Sequence, residues 1–406
     1  MRFCKKTTIP ECAVNVIFDD DCISSTYKSN IEFKKLSPEV WEQRKKKFEK
    51  ILEDYKSDSN YDCLIGVSGG KDSYFQTHLV CKEYNLKPLL VTYHGNNFLP
   101  EADGNRDRMR KVFDIDHLVV GPSVEVLKKL NRIGFEKIGD MNWQNHCGIT
   151  TYVFKIAVAF KIPLVMWGET AWDVAGMYKP DDFVEFNIRS RNEHDLRGFE
   201  WDDILNSNDP RNKLSEKDLI WAKFPTDKQI NDVGVRGIYM GNYFKWDHYK
   251  QTDMLKEYYG WEEARQPFER TYRKVSNLDD RYENGIHDYL KFVKFGYGRG
   301  TDHSTKDILS GYMTRDEGVE MVKKYDHIVS SDLEYWCKYV DYKEEDFFRI
   351  ADKFRDPRVW WIEDDKWFKH NIWGGCSSYG KVLLTKEEKL KFLEKQKKYQ
   401  DFRNRV

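Results

Sequence analysis

From residue 62 onward the chain alternates short apolar runs with longer stretches whose apolar residues recur every third or fourth position. The runs CLIGV (63–67), KPLLVTYH (87–94), DHLVVG (116–121) and PLVMWGE (163–169) have the length and composition of buried strands. Between them, DSYFQTHLVCKEYN (72–85) sets Phe75, Leu79, Val80 and Tyr84 at helical spacing. EADGNRDRMRKVFD (101–114) reads as a polar helix, VEVLKKLNRIGFE (124–136) as a third and GITTYVFKIAVAFKI (148–162) as a buried one. Strands alternating with helices imply right-handed crossovers, hence an α/β fold with a parallel, doubly wound sheet and helices on both faces.

The flanks follow other patterns. Residues 1–37 read as irregular. SPEVWEQRKKKFEKILEDYK then predicts a helix capped by Ser37, with Pro38 in its first turn and Val40, Trp41, Phe48, Ile51 and Leu52 as its apolar face. Its lysines read as the solvated side. Beyond about 180 the rhythm breaks: residues 189–235 are polar and irregular, with NSNDPRNK as a loop. GVRGIYMGNYFKW adds a further strand, and DHYKQTDMLKEYYG a helix closed by Gly260. The stretch 264–380 reads as largely helical and aromatic, and TKEEKLKFLEKQKKYQDFRNRV as a charged terminal helix. The expected division is an N-terminal segment and helix (1–57), a nucleotide-type domain (58–262) and a mainly helical C-terminal region (263–406).

Composition narrows the function classes. A formal net charge of -1 gives no bulk attraction to nucleic acid or to an anionic membrane, so neither is an expected partner. No run approaches the roughly 18–20 apolar residues of a membrane span. The opening MRFCKKTTIPECAV has positive charge but no apolar core segment, so no signal peptide is expected. Scattered cysteines at 4, 12, 22, 63, 81, 147, 337 and 376, two of them within a strand and a helix, fit a reduced, cytoplasmic protein. Aromatic residues reach 15%, which suits flat polar ligands such as sugars as well as ordinary packing.

The chemistry concentrates where the first strand ends, in SGGKDS (68–73). A strand feeding a glycine-rich turn and a helix N-terminus is an anion cradle, because backbone N–H groups converge on one point. The Walker A pattern fails: Asp72 follows Lys71 where Ser or Thr is required, and Ile65 holds the first glycine position. The string resembles the PP-loop, S-G-G-x-D-S, of the ATP pyrophosphatases, which cleave ATP between its α- and β-phosphates. That resemblance implies that Ser68, Gly69, Gly70 and Ser73 grip departing pyrophosphate, Lys71 adds positive charge, and Asp72 binds Mg²⁺. Ligands of a parallel sheet sit at the carboxyl ends of its strands, so Thr92 and His94 are expected to meet the adenine, with Gly168 and Glu169 beside the same crevice.

The blocks PLVMWGE, WQNHCGI, GIHDYLKFVKFGYGRGTDH and TRDEGVEMV resemble segments of the N-acetyl sugar amidotransferase family, the PP-loop proteins of lipopolysaccharide and pseudaminic acid pathways. The similarity runs from near residue 4 to about 325. It implies conversion of a sugar's acetamido group to acetamidino: the amide oxygen is adenylated by ATP, pyrophosphate leaves, ammonia adds and AMP departs. It implies a separate glutaminase and a cyclase-like subunit, both similar to histidine-pathway proteins, as the ammonia source. Position 2 carries no nucleophilic cysteine for a built-in glutaminase, and no nucleophile-elbow pattern occurs. Carried over as substrate-side residues are Trp143, Asn145 and His146, expected in a loop before the buried helix, and Asp302. Lys294 and Arg299 are expected to neutralise charge at the α-phosphate, and His303 to move a proton, oriented by Asp302 unless that carboxylate binds Mg²⁺. The family's paired C-x-x-C motifs are eroded here to CKKT and SSTY, so zinc is not expected. Two other readings compete: a PP-loop tRNA-modifying enzyme, and a catalytically silent nucleotide-binding subunit.

Overall fold

The computed structural model describes residues 1–168, 178–207, 209–279 and 283–403. Its elements run α1 (Ser25–Lys34), α2 (Pro38–Asp54), β1 (Cys63–Gly66), α3 (Lys71–His78), β2 (Pro88–Tyr93), α4 (Pro100–Phe113), β3 (His117–Val120), α5 (Val124–Ile138), α6 (Trp143–Phe160) and β4 (Leu164–Trp167). Two short helices, α7 (Ile188–Ser190) and α8 (Trp201–Leu205), precede α9 (Asp227–Val233), β5 (Arg236–Tyr239) and α10 (His248–Tyr259). Five further helices follow: α11 (Asn284–Phe295), α12 (Arg299–Ser310), α13 (Arg315–Tyr325), α14 (Asp332–Val340) and α15 (Glu344–Asp352). Strands β6 (Trp361–Glu363), β7 (Lys366–His370) and β8 (Cys376–Lys381) and the helix α16 (Lys386–Arg403) end the chain.

The main sheet has the order β3-β2-β1-β4-β5, and every pair in it is parallel. The expected α/β fold is therefore the observed one. Alternation along the strands divides the core into two layers. Ile65, Leu90, Met166 and Ile238 face α2, α3, α4 and α10 through Phe48, Tyr74, Met109 and Leu255. Leu64, Leu89, Val91 and Val165 face α6 through Val153 and Ala157. The strand order reverses at β1, so a crevice opens between the carboxyl ends of β1 and β4.

Several elements differ from expectation. The segment expected to be irregular contains α1, whose polar sequence lacks an apolar stripe; Ser24 starts it by accepting the Tyr27 N–H on its hydroxyl. The helix from α3 widens at its end, where the Tyr84 N–H reaches the Leu79 carbonyl at 3.1 Å. Within 264–380, residues 361–381 form an antiparallel sheet instead of helix. Asp364 and Asp365 both take positive φ, 46° and 57°, and turn β6 into β7 over a core of Trp360, Trp367 and Phe392.

The start of the chain is seated on the C-terminal helices. The Thr8 hydroxyl meets Ser304 Oγ at 2.7 Å and Thr305 Oγ1 at 3.0 Å, and Arg315 Nε donates to the Cys4 and Thr7 carbonyls. The Cys4 sulfur accepts from the Lys6 and Ser24 amides and the Ser24 hydroxyl. Among the described residues, no group of three or more His, Cys, Asp or Glu is placed to hold a metal ion, and no helix is long and apolar enough to cross a membrane. The C-terminal helices are pinned to α5, where Trp336 Nε1 donates to Asn131 Oδ1 at 2.9 Å and Arg132 to the Val340 carbonyl.

Candidate active site

The loop after β1 is shaped by its own backbone. Gly69 has φ +83°, and a Cβ there would lie 2.4 Å from the Ala102 carbonyl oxygen, so only glycine fits. Its carbonyl is held from outside by Trp261 Nε1 at 3.0 Å and Asn105 Nδ2 at 3.2 Å. Gly70, at φ -71° and ψ 165°, is the last extended residue before α3; having no side chain, it leaves the first-turn N–H groups uncapped. Ser68 Oγ accepts from the Gly70 N–H, and Ser73 Oγ donates to the Gly70 carbonyl and accepts from the Ser68 N–H. These residues come together as expected, in a cradle suited to phosphate oxygens.

Lys71 and Asp72 close the cradle on each other. Lys71 Nζ lies 2.7 and 2.6 Å from the two Asp72 oxygens, and Trp246 Nε1 donates to Asp72 Oδ1 at 2.9 Å. Burial pushes the Asp72 carboxyl up, but the Lys71 charge and these bonds outweigh it and hold it below the ordinary range. A carboxylate between a lysine and the uncapped first-turn amides of a helix has the chemistry of a ligand for a divalent cation, which Asp72 would hold. Gly168, at the end of β4, packs where a Cβ would meet Trp246 at 3.1 Å and Asp72 at 3.5 Å. Glu169 lies outside the described residues.

The adenine-side expectations divide. Thr92 is fully buried, not facing a groove: its hydroxyl donates to the Val67 carbonyl at 2.6 Å and contacts His117 Nε2 at 2.8 Å, fixing the base of the loop. Its place in mid-sheet, with both neighbours paired, is the reason. His94 does stand beside the loop, stacked on Phe98 at 4.4 Å. The Arg106 guanidinium covers Phe98's ring at 4.0 Å, and its Cγ is 3.0 Å from where a Gly69 Cβ would be. Neither Phe98 nor Arg106 was singled out in the sequence, where both lie 25 or more residues after the loop.

Lys71 and Asp72 open into a cavity of about 720 Å³ whose far wall is α11 and α12. His287, Lys291 and Lys294 line it from α11, and Arg299, Asp302, His303 and Lys306 from α12. Each set follows the i, i+3/i+4, i+7 spacing of one helix face. The carbonyl side of Asp326 forces the α11–α12 turn to carry Gly298, where a Cβ would lie 2.7 Å from that oxygen.

This wall is built from paired charges. Buried Asp288 accepts from Arg270 and from Arg299 Nε, both at 2.8 Å. Its burial is outweighed by those two guanidinium groups, which hold the carboxyl at about 2. Lys291 Nζ is 2.5 Å from Asp302 Oδ2, and Arg299 stands 3.9 Å from the same oxygen. Asp302 therefore steers Lys291 and Arg299, and not His303 as expected, because its position on α12 turns it toward α11. His303 is oriented by Thr271 Oγ1 on Nδ1 at 2.5 Å and by Ser276 Oγ on Nε2 at 3.4 Å. Burial keeps it neutral, well below the usual imidazole range. At the cavity edge, Arg273 and Tyr272 bond Asp307, which His248 also meets at 3.3 Å.

The third wall comes from the turn between α5 and α6. Gly139 closes α5 at φ +67°, against the Phe354 ring, and the chain then presents Asp140. Asp140 bonds Arg197, accepts the Asn142 N–H, and meets His287 Nδ1 at 2.9 Å and Lys294 at 3.9 Å. Arg197 itself takes φ +55°, a conformation uncommon for a residue with a side chain. Burial drives the Lys294 ammonium well below its ordinary value, toward the neutral amine. His146 faces the cavity, pushed to about 4 by burial, and burial raises nearby Asp195 to about 6.

Trp143 and Asn145, the other two candidates from this block, do not line the cavity. They lie on the first turn of α6, not in a loop, since the helix begins at Trp143. Trp143 is 3% exposed, and its Nε1 donates to the Phe199 carbonyl at 2.8 Å within an apolar cluster. Asn145 Nδ2 donates to Glu283 Oε2 at 3.0 Å under Gly95. Burial raises Glu283 to about 8, so it is a neutral acid at pH 7.

Residues 269–372 match the family model described as the C-terminal domain of WbpG-like LPS biosynthesis proteins. Both GIHDYLKFVKFGYGRGTDH and TRDEGVEMV fall inside that match, so the resemblance read from these blocks is borne out there. A curated relative, an uncharacterized protein of Methanocaldococcus jannaschii, is 31% identical over 84 residues; the match covers 20% of this chain and 30% of that protein. Among solved structures, the NMN synthetase of Francisella tularensis is similar at 14% identity and TM-score 0.29, covering 49% of this chain and 93% of that one. The U34-tRNA thiolase of Methanococcus maripaludis with its 4Fe-4S cluster is similar at 13% identity and the same TM-score of 0.29, over 84% and 96%.

Proposed function

We propose that the protein is an ATP-dependent sugar amidotransferase that turns an acetamido group into an acetamidino group, releasing AMP and pyrophosphate, in the biosynthesis of a surface polysaccharide or nonulosonic acid. One observation carries the reading. The cradle residues Lys71 and Asp72 share a single cavity with the charged faces of α11 and α12, which belong to the stretch matching the LPS-biosynthesis domain. An activating loop and a polar chamber large enough for a sugar are thus one space.

An amide oxygen is a poor leaving group until phosphorylated, which is why an ATP-activating loop belongs beside a nitrogen-transfer chamber. The Ser68, Gly70 and Ser73 groups hold the outer phosphates as they depart together, while Lys71 exchanges its bond to Asp72 for the leaving group. Magnesium, when bound, would screen phosphate charge, with Asp72 as its protein ligand. Arg299 and Lys291 stand across the cavity as fixed positive charge for the α-phosphate. Lys294, whose ammonium is disfavoured by burial and which stands 3.9 Å from Asp140, is less suited to that work than its sequence position implies. A separate glutaminase, with a cyclase-like subunit, would supply the ammonia. The test is mass spectrometry of acetamido sugars incubated with protein, ATP, Mg²⁺ and ammonium: oxygen replaced by NH leaves a product lighter by about one dalton. Formation of ADP and orthophosphate instead of AMP and pyrophosphate overturns the reading.

A further inference from the structure

Nitrogen transfer creates a proton that must go somewhere. When ammonia's lone pair forms the new C–N bond at the activated carbon, the nitrogen becomes an ammonium. It must lose one proton before its electrons can close the C=N bond and expel AMP with the C–O bond pair. Without an acceptor in place, the added ammonia simply leaves again.

Of the groups on the cavity that could take that proton, geometry separates five. His303 has both ring nitrogens bonded, to Thr271 and Ser276. His146 faces the cavity with no oriented hydrogen bond among the described residues, so nothing fixes its tautomer or its aim. Lys294 is 3.9 Å from its nearest carboxylate oxygen, beyond hydrogen-bond reach. His248 meets the Asp307 carboxylate at 3.3 Å through Nε2, the same nitrogen that Arg273 meets at 2.9 Å. His287 pairs Nδ1 with Asp140 Oδ1 at 2.9 Å and has no partner for Nε2 among the described residues. Its side chain is 16% exposed and lines the cavity. A carboxylate can only accept, so Nδ1 carries the proton and Nε2 presents its lone pair.

We propose that His287, oriented by Asp140, is the base that takes the proton from the incoming nitrogen. This rests on the sugar-amidation reading above. Asp140 is a positioning residue: it fixes the tautomer, and its charge stabilises the imidazolium that forms. Arg197 holds Asp140 from its other oxygen, so the carboxylate is fixed before the substrate arrives. Around His287 stand Asp140, Asp288, Arg197, Arg299 and Lys294, with the His146 ring 6.3 Å away. Burial first, then the three cations, keep the resting ring neutral, the form an acceptor needs. The proton on Nε2 then passes to solvent or to the departing phosphate, and the sugar leaves as an amidinium.

The experiment separates the two halves of the reaction. Sugar-dependent exchange of labelled pyrophosphate into ATP reports adenylation; amidine formation with ammonium reports nitrogen transfer. His287→Gln should keep exchange within about twofold while amidine formation falls about 10²–10⁴-fold. His287→Ala, which opens space on the cavity, should regain part of the rate with added imidazole, a recovery no packing role gives. Asp140→Asn should lower amidine formation and move its pH profile while exchange persists. Amidine formation unchanged in His287→Gln overturns the assignment, as does parallel loss of exchange and transfer. A wild-type protein without sugar-dependent exchange instead overturns the amidation reading on which it stands.

Discussion

One side of the cavity is made of backbone and the other of paired side chains, and they serve their chemistry in different ways. On the loop side, Gly69 and Gly70 bring amides together, and the Ser68 and Ser73 hydroxyls tie that backbone to itself. On the helical side, Asp288, Asp302 and Asp307 each hold two or more cationic or donor groups, so charge is fixed by mutual pairing. The loop offers donors that cost nothing to orient when an anion arrives. The helices offer charges already desolvated and compensated, which a substrate can meet only by sharing them.

The contrast is broken most directly at Asp288. Asp288→Ala removes the buried carboxylate that lies between the Arg270 and Arg299 guanidinium groups, and should cost about 3–5 kcal/mol of stability in urea unfolding. A loss under about 1 kcal/mol would mean that pairing does not build this wall. Acid should act on the same wall. Asp288 and Asp307 are both held at about 2, below the value of an unfolded chain, near 4. The unfolded state therefore binds protons first, so this stability is full above about pH 4 and is lost as pH falls toward 2. Thermal midpoints from pH 7 down to 3 should drop less in Asp288→Asn than in the wild type. On the loop, Gly69→Ala forces a left-handed conformation costing about 1–2 kcal/mol and meets a carbonyl. Calorimetry should show ATP affinity falling roughly tenfold or more, a loss of about 1.4 kcal/mol, with only a modest change in unfolding midpoint. The smallest effect is expected off the cavity: Trp143→Phe orphans the Phe199 carbonyl and should cost about 1 kcal/mol of stability, leaving kcat and KM unchanged.

What could be read in the sequence follows the same divide. The cradle lies within six consecutive residues between a strand and a helix, and its geometry is local enough to be written in order. Arg299 and His303 were legible through their block, whereas His287 and Lys291 were passed over. The helical period of GIHDYLKFVKF places both on the face of Lys294, so that spacing was the available signal. The Asp140–His287 bond joins residues 147 apart and gave none. Thr92 and Trp143 misled because a strand end and a motif neighbour are placed by packing as often as by chemistry. Helix α1 was missed because its cap, not an apolar stripe, defines it. The sheet at 361–381 was missed because 264–380 was read as one largely helical stretch; the signal lay in Asp364-Asp365, both at positive φ, which turn β6 into β7.

Thr8 reaches hydroxyls on the side of α12 away from Arg299 and Asp302, while Ile9 and residues 13–16 reach the cavity itself. The opening residues are thus a brace behind the reaction chamber. An expression design that trims them to ease purification would remove the brace, and the yield of well-folded material would conceal a distorted chamber.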